Sequence, residues 1–195
     1  QNLPAPHVTV AELVAFGRAP YLSLLGKLRP EDRERVDWAL ESVGMENFAN
    51  AFTDTLSGGQ RKKAFLAMTL AQDTPAVVLD EPAAGLDPRG RDVIFEGIRS
   101  YQRTTGSTVL IVSHSMEDMA RFCDDVVVMS NAHVIMHGSC NEVFSKVEKL
   151  SGIGLDIPQI TQLMQTLKKR GLKVPEDVYT VEDAVRLLRS LYEKG

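Results

Sequence analysis

Three short runs of apolar, largely β-branched residues constrain most strongly what this chain can fold into. They are residues 76–80 (AVVLD), 108–112 (TVLIV) and 126–129 (VVVM). Continuous apolar runs of this length are typical of strands buried on both faces of a parallel sheet. The segments between them, 88–105 and 115–122, have the pattern of crossover helices. The sequence therefore predicts an α/β fold in which this middle portion is a βαβαβ unit.

Residues 1–55 carry helix signals instead. Thr9 lies three residues before Glu12, which is a capping-box spacing, and the short helix that it predicts over 9–17 ends on a glycine. Residues 30–43 begin with a proline and two acids and place apolar residues on one face. This part of the chain is predicted to be helical.

Residues 151–195 contain two amphipathic patterns on either side of the break at Gly171–Pro175. Thr180 and Asp183 have capping-box spacing at the start of the second pattern. We expect a small helical appendage. Its apolar faces either cover an exposed sheet edge or mediate assembly, and the residue pattern leaves both readings open.

Composition excludes several classes of protein. Lys+Arg 22 against Asp+Glu 26 gives a formal net charge of −4, which disfavours a nucleic-acid binder held mainly by phosphate contacts. No apolar run reaches the roughly 20 residues that a membrane-spanning helix needs. Cys123 and Cys140 are too few for a disulfide framework or a cysteine-based metal site, so reduced thiols in a cytosolic compartment are expected.

The most specific motif in the chain is Leu56-Ser57-Gly58-Gly59-Gln60. It stands at the start of a helix predicted over about 59–71. A serine and two glycines at a helix N-terminus leave a hydroxyl and backbone N–H groups able to meet an anion, and the helix dipole adds to the attraction. The alternative is an ordinary capped helix start in which the glycines only form a turn.

A second group of polar residues follows the predicted strands. Asp80 and Glu81 end the first apolar run, and His114 follows the second. The carboxyl ends of parallel strands meet at one sheet edge, so the three side chains are predicted to converge there. An Asp in that place suits a Mg²⁺ shell, and an adjacent Glu can polarise an attacking water. The alternative for the two acids is a solvated strand-to-turn pair.

In order and spacing, Leu56–Gln60, residues 77–82 (VVLDEP), residues 84–87 (AGLD) and His114 resemble the signature, Walker B, D-loop and switch-histidine series of ATP-binding cassette (ABC) ATPases. The resemblance covers most of residues 1–150. It implies a partial P-loop NTPase fold with a parallel β-sheet core, a helical subdomain and a small C-terminal helical extension.

The resemblance also implies roles for the signature residues. Ser57, Gly58, Gly59 and Gln60 would contact the γ-phosphate of ATP held by the opposite subunit. Asp87 would couple the two ATPase subunits and lie at the nucleotide.

For the other site residues, the resemblance implies that Asp80 supports Mg²⁺, that Glu81 is the general base and that His114 senses the γ-phosphate. Gln1 resembles the Q-loop glutamine and is a second, weaker candidate for the Mg²⁺ site. The implied cofactors are ATP and Mg²⁺.

One motif of the family is absent from the 195 residues. A P-loop has the pattern Gly-x-x-x-x-Gly-Lys-Ser/Thr, whereas Gly26-Lys27 is followed by Leu28 and has Tyr21 at the first glycine position. We therefore expect a C-terminal fragment of an ABC ATPase that by itself binds ATP poorly and hardly hydrolyses it.

The resemblance predicts three segments. Residues 1–72 would hold the Q-loop remnant and the helical subdomain with the signature, residues 73–150 the second half of a RecA-like catalytic subdomain, and residues 151–195 the C-terminal extension. Up to about Thr74 the chain resembles ATPases of iron-siderophore importers. From about Glu81 onward it resembles energy-coupling factor ATPases, and this second resemblance covers more of the chain.

The predicted function is that of an ATPase subunit of an importer that takes up a vitamin or a metal ion. The implied partners are a second ABC ATPase subunit, identical or different, and an integral membrane permease, with no nucleic acid. The implied location is the cytoplasmic face of the membrane. The alternatives are a siderophore importer ATPase and a non-catalytic module of cassette shape. A soluble ABC ATPase that acts on DNA or ribosomes is disfavoured, because no long coiled-coil insertion or second cassette is visible.

Overall fold

The computed structural model describes residues 7–22, 26–155, 157–175 and 177–193. By their contacts the residues group into two compact units, Gln1–Val112 and Ser113–Gly195. The three-segment division with boundaries after residues 72 and 150 rests on the family resemblance and stays a prediction. Within the described ranges, none of the helices combines the length and the apolar character that crossing a bilayer requires.

The described residues of the first unit form four α-helices and two strands. In chain order these are α1 (Val10–Ala15), α2 (Pro30–Ser42), α3 (Gly58–Ala71), β1 (Ala76–Asp80), α4 (Pro88–Thr105) and β2 (Thr108–Val112), with 3₁₀ turns at Phe16–Tyr21, Glu46–Phe48 and Thr53–Thr55. The capping box predicted between Thr9 and Glu12 is present at the start of α1. Helix α3 packs against α1, α2 and α4, and α2 also packs against α4. The helical character predicted for residues 1–55 is confirmed where the structure describes them.

Strands β1 and β2 form a parallel pair in the register Ala76↔Thr108 to Asp80↔Val112. Val77 and Leu79 are buried, which places one face of the pair in the core. On β1, however, Val78 is 66% exposed, and on β2 Leu110 and Val112 are 53% and 51% exposed. The parallel pairing is confirmed, whereas the expectation of two buried faces is not met among the described residues.

In the second unit, the residues that the structure describes form two further strands and five helices. They are α5 (Met116–Phe122), β3 (Asp125–Ser130), β4 (His133–Ser139), α6 (Cys140–Phe144), α7 (Val147–Gly152), α8 (Gln159–Lys169) and α9 (Val181–Tyr192).

Strand β3 corrects the sequence prediction. It pairs antiparallel with β4 in a separate two-stranded sheet, so the expected βαβαβ unit with a third parallel strand is wrong. The two residues between the strands, Asn131 and Ala132, have φ of 49° and 61°, the left-handed pair that a tight hairpin turn requires. Because alanine seldom adopts this conformation, only Asn131 of the two turn residues indicates the turn in the sequence.

The C-terminal helices form their own small core. Met164, Val174, Val178 and Ala184 are buried together. The hydroxyl of Thr161, also buried, donates to the carbonyl of Val178 at 2.7 Å and ties α8 to the segment before α9. The predicted helical appendage is confirmed.

A buried ion pair fixes the helical part of the first unit. The guanidinium of Arg18 donates from Nε and Nη2 to one carboxylate oxygen of Asp32, at 2.9 Å each, and from Nη1 to the carbonyl of Ala71 at 2.8 Å. The backbone N–H of Arg29 donates to the other oxygen of Asp32 at 3.0 Å. This backbone bond, followed by the Arg18 contact, lowers the pKa of Asp32 against the opposing effect of burial. Sequence reasoning did not single out this pair.

Replacing Gly97 by Ala is expected to destabilise the first unit. Gly97 lies where α4 crosses α2, and a Cβ there would stand only 2.2 Å from the carbonyl oxygen of Ser42, so the two helices must separate. We expect a loss of about 1–3 kcal/mol in the free energy of unfolding, measured by urea titration. Gly58→Ala is the matched control, because a Cβ at Gly58 meets nothing within 4 Å. Equal stability of the two variants would contradict the close helix crossing.

Candidate functional site

The signature motif forms the N-terminus of α3. Ser57 is the N-cap, and its hydroxyl accepts a hydrogen bond from the Gln60 backbone N–H at 3.2 Å. The side-chain oxygen of Gln60 accepts in return from the Ser57 backbone N–H at 2.9 Å. The capped helix start, considered above as the alternative, is thus present. It leaves the N–H groups of Gly58 and Gly59 without a partner inside the helix.

The two glycines keep this helix end open. Ser57 and Gly58 are exposed, and no atom lies within 4 Å of the place where a Cβ on Gly58 would stand. A Cβ on Gly59 would meet a methyl carbon of Leu86 at 3.0 Å. The capped helix start therefore also has the features of an anion site: free N–H groups, the positive end of a helix dipole and room for close approach.

The acid pair lies at the end of β1. Asp80 is the last residue of the strand and is exposed. Glu81 has a φ of 45°, a left-handed conformation that is uncommon for a residue other than glycine. Its backbone N–H donates to the carbonyl of Val112 at 2.8 Å, and its carbonyl accepts from the Ala84 N–H at 3.2 Å. These bonds hold Glu81 at the sheet edge in a conformation of the kind that clusters at functional sites.

The start of α3 and the segment after Glu81 contact each other. Lys62 donates from its ammonium to the carbonyl of Ala84, and Leu86 packs beside Gly59. The signature helix and the predicted D-loop therefore form one packed structure within the first unit. Sequence reasoning missed Lys62, since a lysine in an exposed helix turn carries no signal of such a bond.

Asp87 has a structural role in this segment. It is the N-cap of α4, and its carboxylate accepts from the Gly90 N–H at 2.6 Å. The role in coupling two subunits that the resemblance implies for Asp87 stays a prediction.

A groove of about 290 Å³ runs between α3 and the end of β1. Its walls include Lys62, Phe65, Thr69, Asp80, Glu81 and Pro82. The acid pair is therefore reachable from solvent on the side of the signature helix.

Two predicted site residues are not joined to this arrangement by the structure. His114 is exposed, follows the end of β2 by two residues and belongs to the second unit, so its convergence with Asp80 and Glu81 stays a prediction. Gln1 lies outside the described residues. Across the described ranges, no group of three or more His, Cys, Asp or Glu side chains could hold a metal ion. The described residues fit Mg²⁺ only as an ion shared with a nucleotide. Such an ion is held by one or two carboxylates together with phosphate oxygens and water.

Comparison with known proteins shows which family the chain resembles. The ABC transporter family model matches residues 1–84. The chain is 41% identical over 177 residues to the energy-coupling factor transporter ATP-binding protein EcfA2 of Caldanaerobacter subterraneus, a match that covers 90% of this chain and 60% of that protein. It is 36% identical over 189 residues to EcfA2 of Clostridium acetobutylicum, covering 96% of this chain and 65% of the relative.

A solved structure agrees with these matches. The cbiO1 protein of Clostridium perfringens, described as part of the ABC transporter complex cbiONQ, superposes with a TM-score of 0.62 at 35% identity, over 82% of this chain and 62% of that one. The chain spans less than two thirds of the length of the curated relatives cited here. The shared fold confirms the predicted partial P-loop NTPase class, and the matches confirm the resemblance of the chain to ABC ATPases.

Proposed function

We propose that this chain supplies the signature helix and the catalytic acid pair of an ATP-hydrolysing subunit in an energy-coupling factor importer. The observation that carries the proposal is the open N-terminus of α3, capped by Ser57 and packed through Gly59 and Lys62 against the segment that follows Glu81. The helix end offers an anion site to a nucleotide held by a second subunit, and the acid pair offers the proton acceptor that hydrolysis needs.

The signature residues bind the terminal phosphate of ATP held by a second ATPase subunit. Gly58 and Gly59 donate their backbone N–H groups to it. The Ser57 hydroxyl accepts from Gln60, which leaves its own proton free to donate to a phosphate oxygen. Because the second subunit supplies the rest of the pocket, the site is complete only in a dimer.

The acid pair serves the chemical step. Glu81 accepts a proton from the attacking water, and its backbone bond to Val112 keeps the side chain at the sheet edge. Asp80 is the carboxylate that would hold Mg²⁺. Bound ATP and Mg²⁺ supply the phosphoanhydride bond and the charge neutralisation. His114 contributes a sensor for the terminal phosphate, and Asp87 links the state of one subunit to that of the other.

The relatives support the choice of importer class. Both EcfA2 proteins are named as parts of energy-coupling factor transporters, and the 189-residue match extends through the first third of the chain, where the resemblance to siderophore importers was noted. This favours the energy-coupling factor type, with a vitamin or metal ion as cargo, a membrane permease as partner, and a place on the cytoplasmic face of the membrane.

Joining an N-terminal segment that carries a P-loop to this chain tests the proposal. We expect the joined protein to hydrolyse ATP in a Mg²⁺-dependent reaction, measured by phosphate release, while the 195-residue chain alone shows almost none. The control is the same joined protein with the P-loop lysine replaced by alanine. A joined protein that folds and binds ATP without hydrolysing it would instead establish the non-catalytic module.

A further inference from the structure

Helix α5 begins directly after His114. Ser115 is its N-cap, and the Ser115 hydroxyl accepts a hydrogen bond from the Asp118 backbone N–H at 3.3 Å. The Ser115 backbone N–H donates in turn to the hydroxyl of Ser113 at 3.2 Å. The residues on both sides of His114 are therefore tied to the first turn of α5, so a movement of this helix also moves His114.

Helix α5 is too short to fix its own position. It has seven residues, whereas isolated helices shorter than about 12 residues are marginal in water. Its C-terminal end is held by α6, because the thiol of Cys140 donates to the carbonyl oxygens of Met119 and Cys123 at 3.5 Å and 3.4 Å. Burial is the main cause that raises the pKa of the Cys140 thiol, so the thiol stays protonated as a donor.

The C-terminal helices hold α5 at two more points. In the first turn of α5, the Glu117 carboxylate accepts from the backbone N–H of Gln159, the first residue of α8, at 3.3 Å. One turn further along, the Arg121 guanidinium lies 3.6 Å from the carboxylate of Glu182, in the first turn of α9. Residues four positions apart lie on one face of a helix, so a single face of α5 makes both contacts.

The helices that make these contacts are anchored without α5. Helices α8 and α9 share the small C-terminal core, and the bond from Thr161 to Val178 ties α8 to the segment before α9. In that segment, the ring of Tyr179 packs against the ring of Phe144 on α6, with their centroids 5.7 Å apart. The appendage therefore has its own support in the unit and can hold α5 against it.

We propose that Glu117 and Arg121 are positioning residues through which the C-terminal helices hold His114 in place. This role rests on the sensing function proposed above for His114. Each contact is exposed and therefore modest, but both act on the same short helix. The residue pattern left two interpretations of the appendage open, cover for a sheet edge and assembly. These contacts add a third, which is to fix the helix that follows the histidine.

The test is the ring signal of His114 in a proton–carbon NMR spectrum of the 195-residue chain. The chain has four histidines, and the signal of His114 is the one that disappears in His114→Gln. We expect Glu117→Ala to shift this signal, while the signals of the other histidines stay in place. Glu117→Gln should give a much smaller shift, because its amide oxygen still accepts from the Gln159 N–H. The two variants lose the same charge, so they separate the hydrogen bond from the charge.

A charge exchange tests the second contact. Arg121→Glu should also shift the His114 signal, and the double variant Arg121→Glu/Glu182→Arg should return it. Glu148→Ala is the control, because Glu148 is an exposed glutamate on α7 of the same unit. An unmoved signal in Glu117→Ala, or equal shifts in Glu117→Ala and Glu117→Gln, would overturn the proposal. Failure of the double variant to return the signal would overturn the role of Arg121.

Turnover of the joined protein separates this proposal from the proposed function. We expect Glu117→Ala to lower kcat about two- to fivefold with little change in KM, since the groups at α3 and β1 are untouched. Full turnover in His114→Ala would refute the sensing role, while the NMR shifts still decide whether the appendage positions the histidine. Loss of turnover in His114→Ala together with full turnover in Glu117→Ala would overturn the positioning role.

Discussion

Replacing Glu81 by Gln is expected to lower ATP turnover by at least about 100-fold in the chain completed with a P-loop, while nucleotide binding is retained. The substitution removes the carboxylate that accepts the proton of the attacking water and keeps the size of the side chain. The backbone bond from Glu81 to Val112 and the turn to Ala84 do not involve the carboxylate, so the fold of the sheet edge should persist.

The measurement is steady-state phosphate release together with equilibrium binding of a fluorescent ATP analogue. Glu96→Gln is the matched control, because Glu96 is an exposed glutamate on α4 of the same unit. A Glu81→Gln protein with full turnover would refute the general-base assignment. Loss of both binding and turnover would instead show that Glu81 matters for the fold.

Local signals in the sequence predict the helices of this chain well. Thr9 with Glu12, Ser57 with Gln60 and Pro88 after Asp87 each mark a helix start, since the capping bonds involve residues close in sequence. The parallel pairing of β1 and β2 follows from two apolar runs joined by a helix-length connection. These features depend on short-range chemistry that a single sequence displays.

Features that depend on distant residues escape sequence reasoning. The bond between Lys62 and Ala84 joins residues 22 positions apart, and the Arg18–Asp32 pair becomes visible only once α2 packs beside the 3₁₀ turn. The apolar run of β3 resembles those of β1 and β2, so it predicts a buried parallel strand. The tight turn that follows β3 instead pairs it with β4.

The candidate site was also predicted only in part from the sequence. The residue types and spacing of Ser57, Gly59 and Glu81 predict an anion site and an acid pair. Two further features bring the signature helix and the acid pair into one unit. They are the contact of Leu86 with Gly59 and the left-handed backbone of Glu81, and neither can be predicted from residue types and spacing.

Replacing Ser57 by Arg is expected to abolish ATP-driven dimerisation of the joined protein that carries a P-loop. Ser57 is exposed beside the open space at Gly58, and an arginine there fills the volume that the terminal phosphate would occupy. It also adds a positive charge to the positive end of the α3 dipole. The experiment is best made in the Glu81→Gln background, where ATP persists, with dimer formation measured by analytical ultracentrifugation with and without ATP.

Ser57→Ala separates the two effects of the arginine substitution. Both variants lose the hydroxyl that accepts from the Gln60 N–H, which costs about 1 kcal/mol of helix stability, but only the arginine fills the space in front of the helix. Dimerisation that survives in Ser57→Ala and disappears in Ser57→Arg places the nucleotide against this helix end. If Ser57→Arg dimerises with ATP as readily as the unaltered protein, the signature helix has no part in holding the nucleotide, and the acid pair must act without it.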